Sequence, residues 1–304
     1  MKKFVLKLLL FFACVVVMDF AFGQFFSYLR THAKGGSTAN CEYIANQCKD
    51  DIIILGSSRA THHYDPHIIE KSLGVTCYNC GEEGNGVVLA YGRLRMLTSR
   101  YKPKLVLYEL TPRFDYGTND PNNKYLGYIR AYYDKDGIRD IFNDFDDVFS
   151  FLKMKSKMYQ NTNRLLPNLV DMIITRDNQQ GFEPLFGKLD SLDVVHLNGN
   201  KDANFEVDSK KLSYIEKIIC LCQNKDIPVV FMISPCFGSY DDISYYEPAI
   251  KLCKKYNVPY YDFLHYNKLS ENVAFFQDES HLNNEGALLY TQMVVKDVLL
   301  EYLK

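Results

Sequence analysis

Residues 54–61 read Ile-Leu-Gly-Ser-Ser-Arg-Ala-Thr. An apolar run stops at Gly56 and then presents Ser57, Ser58 and Arg59 together. Far along the chain, Asp278 and His281 stand three residues apart. A hydroxyl nucleophile needs a neighbouring base, and the base needs a carboxylate to orient it. The Asp278–His281 spacing lets the carboxylate reach Nδ1 and leaves Nε2 for a serine. Asn283 or Asn284 can cap the helix that follows and so hold the turn. Taken singly, each piece has a plainer reading. The first is a polar strand-end turn, and the second a set of helix-entry residues.

Placing these groups together is the work of the surrounding elements. Residues 51–58 form a short continuous apolar run, which suits a strand covered on both faces. A helix follows, with Asp65 to cap it, Pro66 at its first position and Gly74 at its end. Further strands are expected at 75–81, 103–112, 228–235 and 259–264. Helical spacing separates them at 85–101, 208–227 (capped by Asp208 or Ser209), 243–258 and 283–303. Alternating strands and helices predict an α/β fold. It is a doubly wound, mostly parallel five-stranded sheet with helices on both faces, a flavodoxin-like three-layer sandwich. Residues 114–208, rich in Tyr, Phe, Asp and Asn, read as a mainly helical insertion beside the strand ends. Sites in such sheets form at the carboxyl ends of the strands. Those ends carry Ser57-Ser58-Arg59, then Asn79, Gly81, Gly84 and Gly86, then Arg113.

In order and placement, three blocks resemble the SGNH (GDSL-like) hydrolase family. They are Gly56-Ser57-Ser58 closing strand one, Tyr78-Asn79-x-Gly81-x-x-Gly84 closing strand two, and Asp278-x-x-His281 before the last helix. The resemblance covers residues 50–111 and 210–304 and implies an acyl-transfer centre. Ser58 would be the nucleophile, His281 the base and Asp278 its orienting group. Ser57 stands where the family keeps an aspartate. The backbone N–H groups of Ser58 and Gly84 would hold the oxyanion, with Gly81 the alternative to Gly84. The family's third block supplies an asparagine to that hole, but this chain has Arg113 near the position. Either Arg113 takes over, or Asn119 or Asn122 folds back, or the hole is weak. Arg59, His62 and Asn79 are the substrate-binding candidates; for Arg59 a structural ion pair is the competing reading. The implied substrate is an O-acylated, in particular O-acetylated, surface or exported polysaccharide, with water or a sugar hydroxyl as acceptor. The competing expectation is a weak or inactive glycan-binding or assembly protein of an envelope polysaccharide pathway.

The N-terminus sets the compartment. Lys2, Lys3 and Lys7 precede a run that is apolar all round, Leu8–Met18, and Asp19 interrupts it. Residues 1–26 read as an uncleaved inner-membrane anchor, N-terminus inside and body outside. A signal cleaved after Ala21-Phe22-Gly23 is the alternative. Residues 27–49, polar and Gly-rich, read as a tether, and 50–304 as the α/β domain. Among 304 residues the net charge is only −2, and no basic stripe suggests nucleic acid. Cys41 with Cys48 is the one disulfide expected. His62, His63, His67, Cys77 and Cys80 lack zinc-ligand spacing, and Glu82 and Glu83 read as a solvated loop. No metal or cofactor is expected.

Overall fold

The computed structural model describes residues 1–118, 124–146, 149–189, 205–238 and 242–302. They form two compact units. One comprises Met1–Gln47 with Asn123–Asp177, and the other Cys48–Asn122 with Asn178–Lys304. The chain opens with α1 (Lys2–Thr31) and α2 (Gly36–Asn46). The sheet unit then begins with β1 (Ile52–Gly56), α3 (Ser58–His63), α4 (Pro66–Leu73) and β2 (Cys77–Asn79). It continues with α5 (Val87–Thr98), β3 (Leu105–Glu109) and α6 (Pro112–Asp115). Helices α7 (Tyr125–Ile129), α8 (Ile138–Phe145), α9 (Ser150–Lys153), α10 (Lys157–Thr162) and α11 (Leu165–Ile173) complete the first unit. The sheet unit resumes with α12 (Ser209–Asn224), β4 (Val229–Ile233), α13 (Glu247–Lys255) and β5 (Tyr260–Asp262). It closes with α14 (Asn267–Ser270), α15 (Asn284–Val294) and α16 (Leu300–Tyr302).

All five strands are parallel, in the order β2-β1-β3-β4-β5. This is the flavodoxin-like winding expected from the alternation of strands and helices. Side chains alternate across the sheet with a period of two. Ile52, Ile54, Leu105, Leu107, Val230 and Met232 join Ile69 of α4 and Tyr290 and Val294 of α15 in one apolar core. The buried alternates Ile53, Val106, Tyr108 and Phe231 point to the opposite face, where α5, α12 and α13 pack on one another. The expected caps are in place. Asp65 accepts from the His67 N–H, Asp208 from those of Lys210 and Lys211, and Asn283 from that of Gly286. Winding reverses beside β1, so β1 and β3 flank the switch-point crevice at their carboxyl ends.

That edge is tightly built. Gly56 has φ +145°, and a Cβ there would meet the Glu109 carbonyl oxygen at 2.7 Å and Ala60 Cβ at 2.9 Å. Only glycine lets α3 leave β1 so close to β3. After β3, Asp115 holds the turn. It accepts from Tyr108 Oη at 2.6 Å and from the Thr111 N–H at 2.7 Å.

Three expectations are corrected. Residues 36–46 are not a tether but helix α2, which buries Thr38, Cys41, Ile44 and Ala45. The insertion is divided. Residues 123–177 belong to the compact unit of α1 and α2, while 178–189 return to the sheet unit. No disulfide forms: Cys41 is buried in α2, and the Cys48 thiol donates to Asp50 Oδ2 at 3.2 Å. Residues 190–204 of the insertion, and Asn119 and Asn122, lie outside the described residues.

Complete burial pushes the Asp115 carboxyl up to about 7, although hydrogen bonds from Tyr108 and Thr111 oppose the shift. Its folded value thus exceeds the ordinary aspartate value of about 3.9. The folded state therefore binds the extra proton, and the stability this contributes is complete below about pH 4 and lost as pH rises to about 7. Asp115→Asn removes that slope. The stability difference between wild type and variant, from denaturant titrations across pH 4–8, is expected to shift against the wild type as pH rises.

Candidate active site

Ser58 is the first residue of α3 and is buried. His281 lies in the turn before α15, 223 residues away, and its Nε2 is 2.7 Å from Ser58 Oγ. Both carboxylate oxygens of Asp278 lie 2.9 Å from His281 Nδ1. A carboxylate can only accept, so the ring proton sits on Nδ1 and Nε2 accepts from the serine. Asp278 Oδ1 also takes the backbone N–H groups of Ser280 (2.8 Å) and His281 (2.9 Å), and the Ser280 hydroxyl at 3.0 Å. Burial works against the Asp278 charge, but the His281 ring and the Ser280 hydrogen bonds outweigh it and hold the carboxyl below its ordinary range. A hydroxyl, an imidazole and a carboxylate thus stand at bonding distance, which is the geometry that proton abstraction from a hydroxyl needs.

A cavity of about 60 Å³ opens on this pair, lined by Ser58, Arg59, Thr111, Pro112, Arg113, Phe114, Ser280 and His281. It holds about two waters at ~30 Å³ each, which suits a small acyl group. Arg113 reaches it from α6 with an exposed side chain. Thr111 was not singled out in the sequence. Its Oγ1 is buried and has no hydrogen-bond partner among the described residues. A buried hydroxyl left so costs about 1–3 kcal/mol. A threonine directly after a strand gave no signal of its own; only its place at the end of β3 could have drawn attention.

The remaining candidates fall elsewhere. Gly84 has a left-handed φ of +61° in a turn closed by the Asn85 N–H on the Glu82 carbonyl, and it does not line the cavity. The Gly81 N–H is taken by Asn79 Oδ1 at 3.0 Å. Asn79 is not positioned for substrate. Its Nδ2 donates to the Ala60 and Tyr64 carbonyls at 2.7 and 3.1 Å, so the side chain staples β2 to the end of α3. His62 is buried, its Nδ1 bonds the Glu183 carbonyl at 2.6 Å, and its ring packs edge-to-face on His281. Burial lowers the His62 pKa, and the neighbouring His281 adds to that shift. It is a wall behind the base rather than a contact in the cavity lining.

Arg59 is 2% exposed and borders the cavity, but its polar atoms point inward. Nη1 donates to Tyr246 Oη at 2.6 Å, Nε to Ser234 Oγ at 3.1 Å, and Nη2 to the Ser234 carbonyl. Its ion-pair partner is Glu109, at 3.3 Å. The ion-pair reading therefore prevails over the substrate-binding one. Glu109, at the end of β3, also accepts from the Ser234 N–H (3.0 Å), Ser234 Oγ (2.6 Å) and Tyr64 Oη. Burial pushes its pKa up, and the Arg59 charge and these donors oppose the rise. His63 extends the network. Its Nε2 accepts the Leu282 N–H at 2.9 Å, so its proton is on Nδ1, which donates to Ser234 Oγ at 2.8 Å. Burial, with Arg59 and His281 nearby, keeps His63 well below the usual imidazole range and so neutral.

Residues 182–189, part of the segment expected as a mainly helical insertion, form a strap along the site. The Glu183 N–H donates to the Thr61 carbonyl, and the Leu185 carbonyl accepts from Asn284. Asn283 Nδ2 donates to the Gly187 carbonyl at 3.0 Å, and the Leu189 N–H to that of Phe276. The strap therefore stitches α3 to the histidine turn.

All three sequence blocks meet the carboxyl edge of one 2-1-3-4-5 parallel sheet. The fold is a doubly wound, flavodoxin-like α/β sandwich. No family profile matches the chain, and no curated protein does. Among solved structures it is similar to the acetyl xylan esterase AlAXEase, at 13% identity over 81% of this chain and 99% of that one, with a TM-score of 0.41. It is also similar to a protein assigned to the G-D-S-L lipolytic family from Desulfitobacterium hafniense DCB-2, at 10% identity over 81% and 98%, with a TM-score of 0.40.

Removing one partner of a buried ion pair strands the other. Glu109→Ala is expected to lower the unfolding free energy by about 3–5 kcal/mol. The Arg59→Met/Glu109→Met pair should lose less than the sum of the two single Met variants, as read from urea denaturation.

Proposed function

We propose that the protein is an extracytoplasmic serine esterase or O-acyltransferase that acts on acyl groups, in particular acetyl, of cell-surface or exported polysaccharide. One observation carries the reading: Ser58 Oγ, His281 Nε2 and Asp278 stand in a continuous hydrogen-bonded line. Ser58 Oγ attacks the ester carbonyl as His281 Nε2 takes its proton. Asp278 steadies the imidazolium through Nδ1. Negative charge develops on the carbonyl oxygen, where the Ser58 N–H and the Thr111 hydroxyl donate and Arg113 adds positive charge. Thr111 thus takes the part that an asparagine plays in the resembled family. The intermediate collapses, and His281 returns the proton to the departing sugar oxygen. Water or a second sugar hydroxyl, deprotonated by His281, then releases the acyl group from Ser58. The small cavity favours a short acyl chain. The apolar α1, near the N-terminus, supports a site outside the cytoplasm.

Detergent-solubilised full-length protein is expected to hydrolyse p-nitrophenyl acetate and to be labelled at Ser58 by a fluorophosphonate. Ser58→Ala and His281→Ala should both reduce turnover to background. Equal turnover in wild type and Ser58→Ala would sink the esterase reading and favour a glycan-binding role.

Thr111→Val tests the oxyanion assignment separately. It should lower kcat by about 10²-fold, the usual cost of losing one such donor, with KM little changed. Thr111→Ser should retain most of the activity.

A further inference from the structure

The unit built from α1, α2 and α7–α11 exposes an apolar surface that the acyl-transfer centre does not use. Phe149, Phe151 and Leu152 around α9, and Leu166, Ile173 and Ile174 around α11, are all exposed; Leu166 is 74% exposed and Ile173 69%. Exposed aromatic and aliphatic side chains in such number mark an interaction surface.

Its partner follows from α1. Every residue from Lys2 to Met18 is exposed, and burial begins only beyond Asp19, at Gly23 and Leu29. From Asp19 onward α1 packs against α10. A Cβ on Gly23 would fall 2.6 Å from Lys157 Cβ. The Asp19 carboxylate accepts from Ser156 Oγ and from the N–H groups of Lys157 (2.9 Å) and Met158 (3.4 Å), at the first turn of α10. An acidic residue within an apolar helix is thereby fully engaged by donors from its own unit.

The lengths decide the depth. The bare apolar stretch Leu8–Met18 rises about 16 Å at 1.5 Å per residue. A bilayer's hydrocarbon core is about 30 Å thick. Some ~14 Å of the outer leaflet is left for the next two and a half turns of α1, which begin with the stretch packed on Ser156–Met158. Helices α10 and α11 pack on α1 and α9 leads directly into α10, so the apolar side chains exposed on α9 and α11 are suited to lipid beside this part of α1. Lys153 and Lys155, at the end of α9, suit the phosphate level above it.

We infer that the apolar face of α9 and α11 is embedded in the outer leaflet, beside an uncleaved α1. The unit is then a membrane-seated base in place of a flexible tether. This rests on the reading of α1 as an anchor. It also decides between anchor and cleaved signal, because cleavage after Gly23 would remove the Asp19 that caps α10.

The chain has no tryptophan, so single Trp substitutions report without background. Full-length Phe12→Trp, Phe149→Trp, Ile173→Trp and, on α15 of the other unit, Leu289→Trp are reconstituted in phosphatidylcholine vesicles. The vesicles are made with and without acyl-chain-brominated phosphatidylcholine. Phe12, Phe149 and Ile173 reporters should lose most of their emission to the brominated lipid and resist iodide; the Leu289 reporter should do the reverse. Lipid quenching at Phe12 but iodide quenching at Phe149 and Ile173 overturns the inference and leaves the anchor standing. Shielding of Phe149 and Ile173 from both quenchers assigns the face to a protein partner and also overturns it. Absence of lipid quenching at every position overturns inference and anchor together. Intact mass of the membrane-extracted chain should retain residues 1–23, and their loss overturns both.

Discussion

A carboxylate with no exposure to water organises the catalytic edge. Glu109 sits at the end of β3 and is held by Arg59 from α3, by Ser234 just after β4, and by Tyr64 just after α3. Taking such a charge out of water costs several kcal/mol unless donors fill its oxygens. Here they come from two segments, the α3 stretch and the end of β4, both tied to β3 by the same carboxylate, so neither can move without stranding the charge. The network runs on through Ser234 and His63 to the backbone of Leu282, the residue after His281. The base is therefore positioned from beneath by a neutral histidine that never touches the cavity.

The strap of residues 182–189 works from outside. It bonds α3 at Thr61 and His62, and the other side of the site at Asn283, Asn284 and Phe276. Serine and histidine thus sit between a buried polar network and a backbone clamp. Chemistry that depends on reacting atoms about 3 Å apart is lost with displacements of about 1 Å. The two supports explain how a pair so distant in sequence holds a 2.7 Å contact.

Most of the sheet unit was legible in the sequence, because its signals are local. Continuous apolar runs marked the five strands. Asp65, Pro66 and Gly74 bounded α4, and Asp208 and Asn283 capped their helices. The Ser58, Asp278 and His281 positions were legible as a pattern, since their spacing states their geometry. The supporting residues were not. Glu109, Ser234 and His63 share no spacing, and they meet only because β1, β3 and β4 end level. Asn79 and Arg59 looked like cleft residues because side chains at a strand's end can turn either way; buried carbonyls and the Glu109 charge drew them inward. The segment 36–46 was misread because its Gly, Ser, Thr and Asn content resembles a linker, although Cys41, Ile44 and Ala45 recur at helical spacing.

The order of the elements has a consequence for biogenesis. Ser58 is made early and His281 very late, and α15 must dock through Thr291 on the His63 carbonyl and the Asp65 N–H before the turn is secured. Contacts between distant segments form late in folding. A chain still emerging from the ribosome therefore carries Ser58 without its histidine partner. The Ser58–His281 contact appears only when the turn before the final helix has been secured, so the unfinished protein carries the two side chains apart.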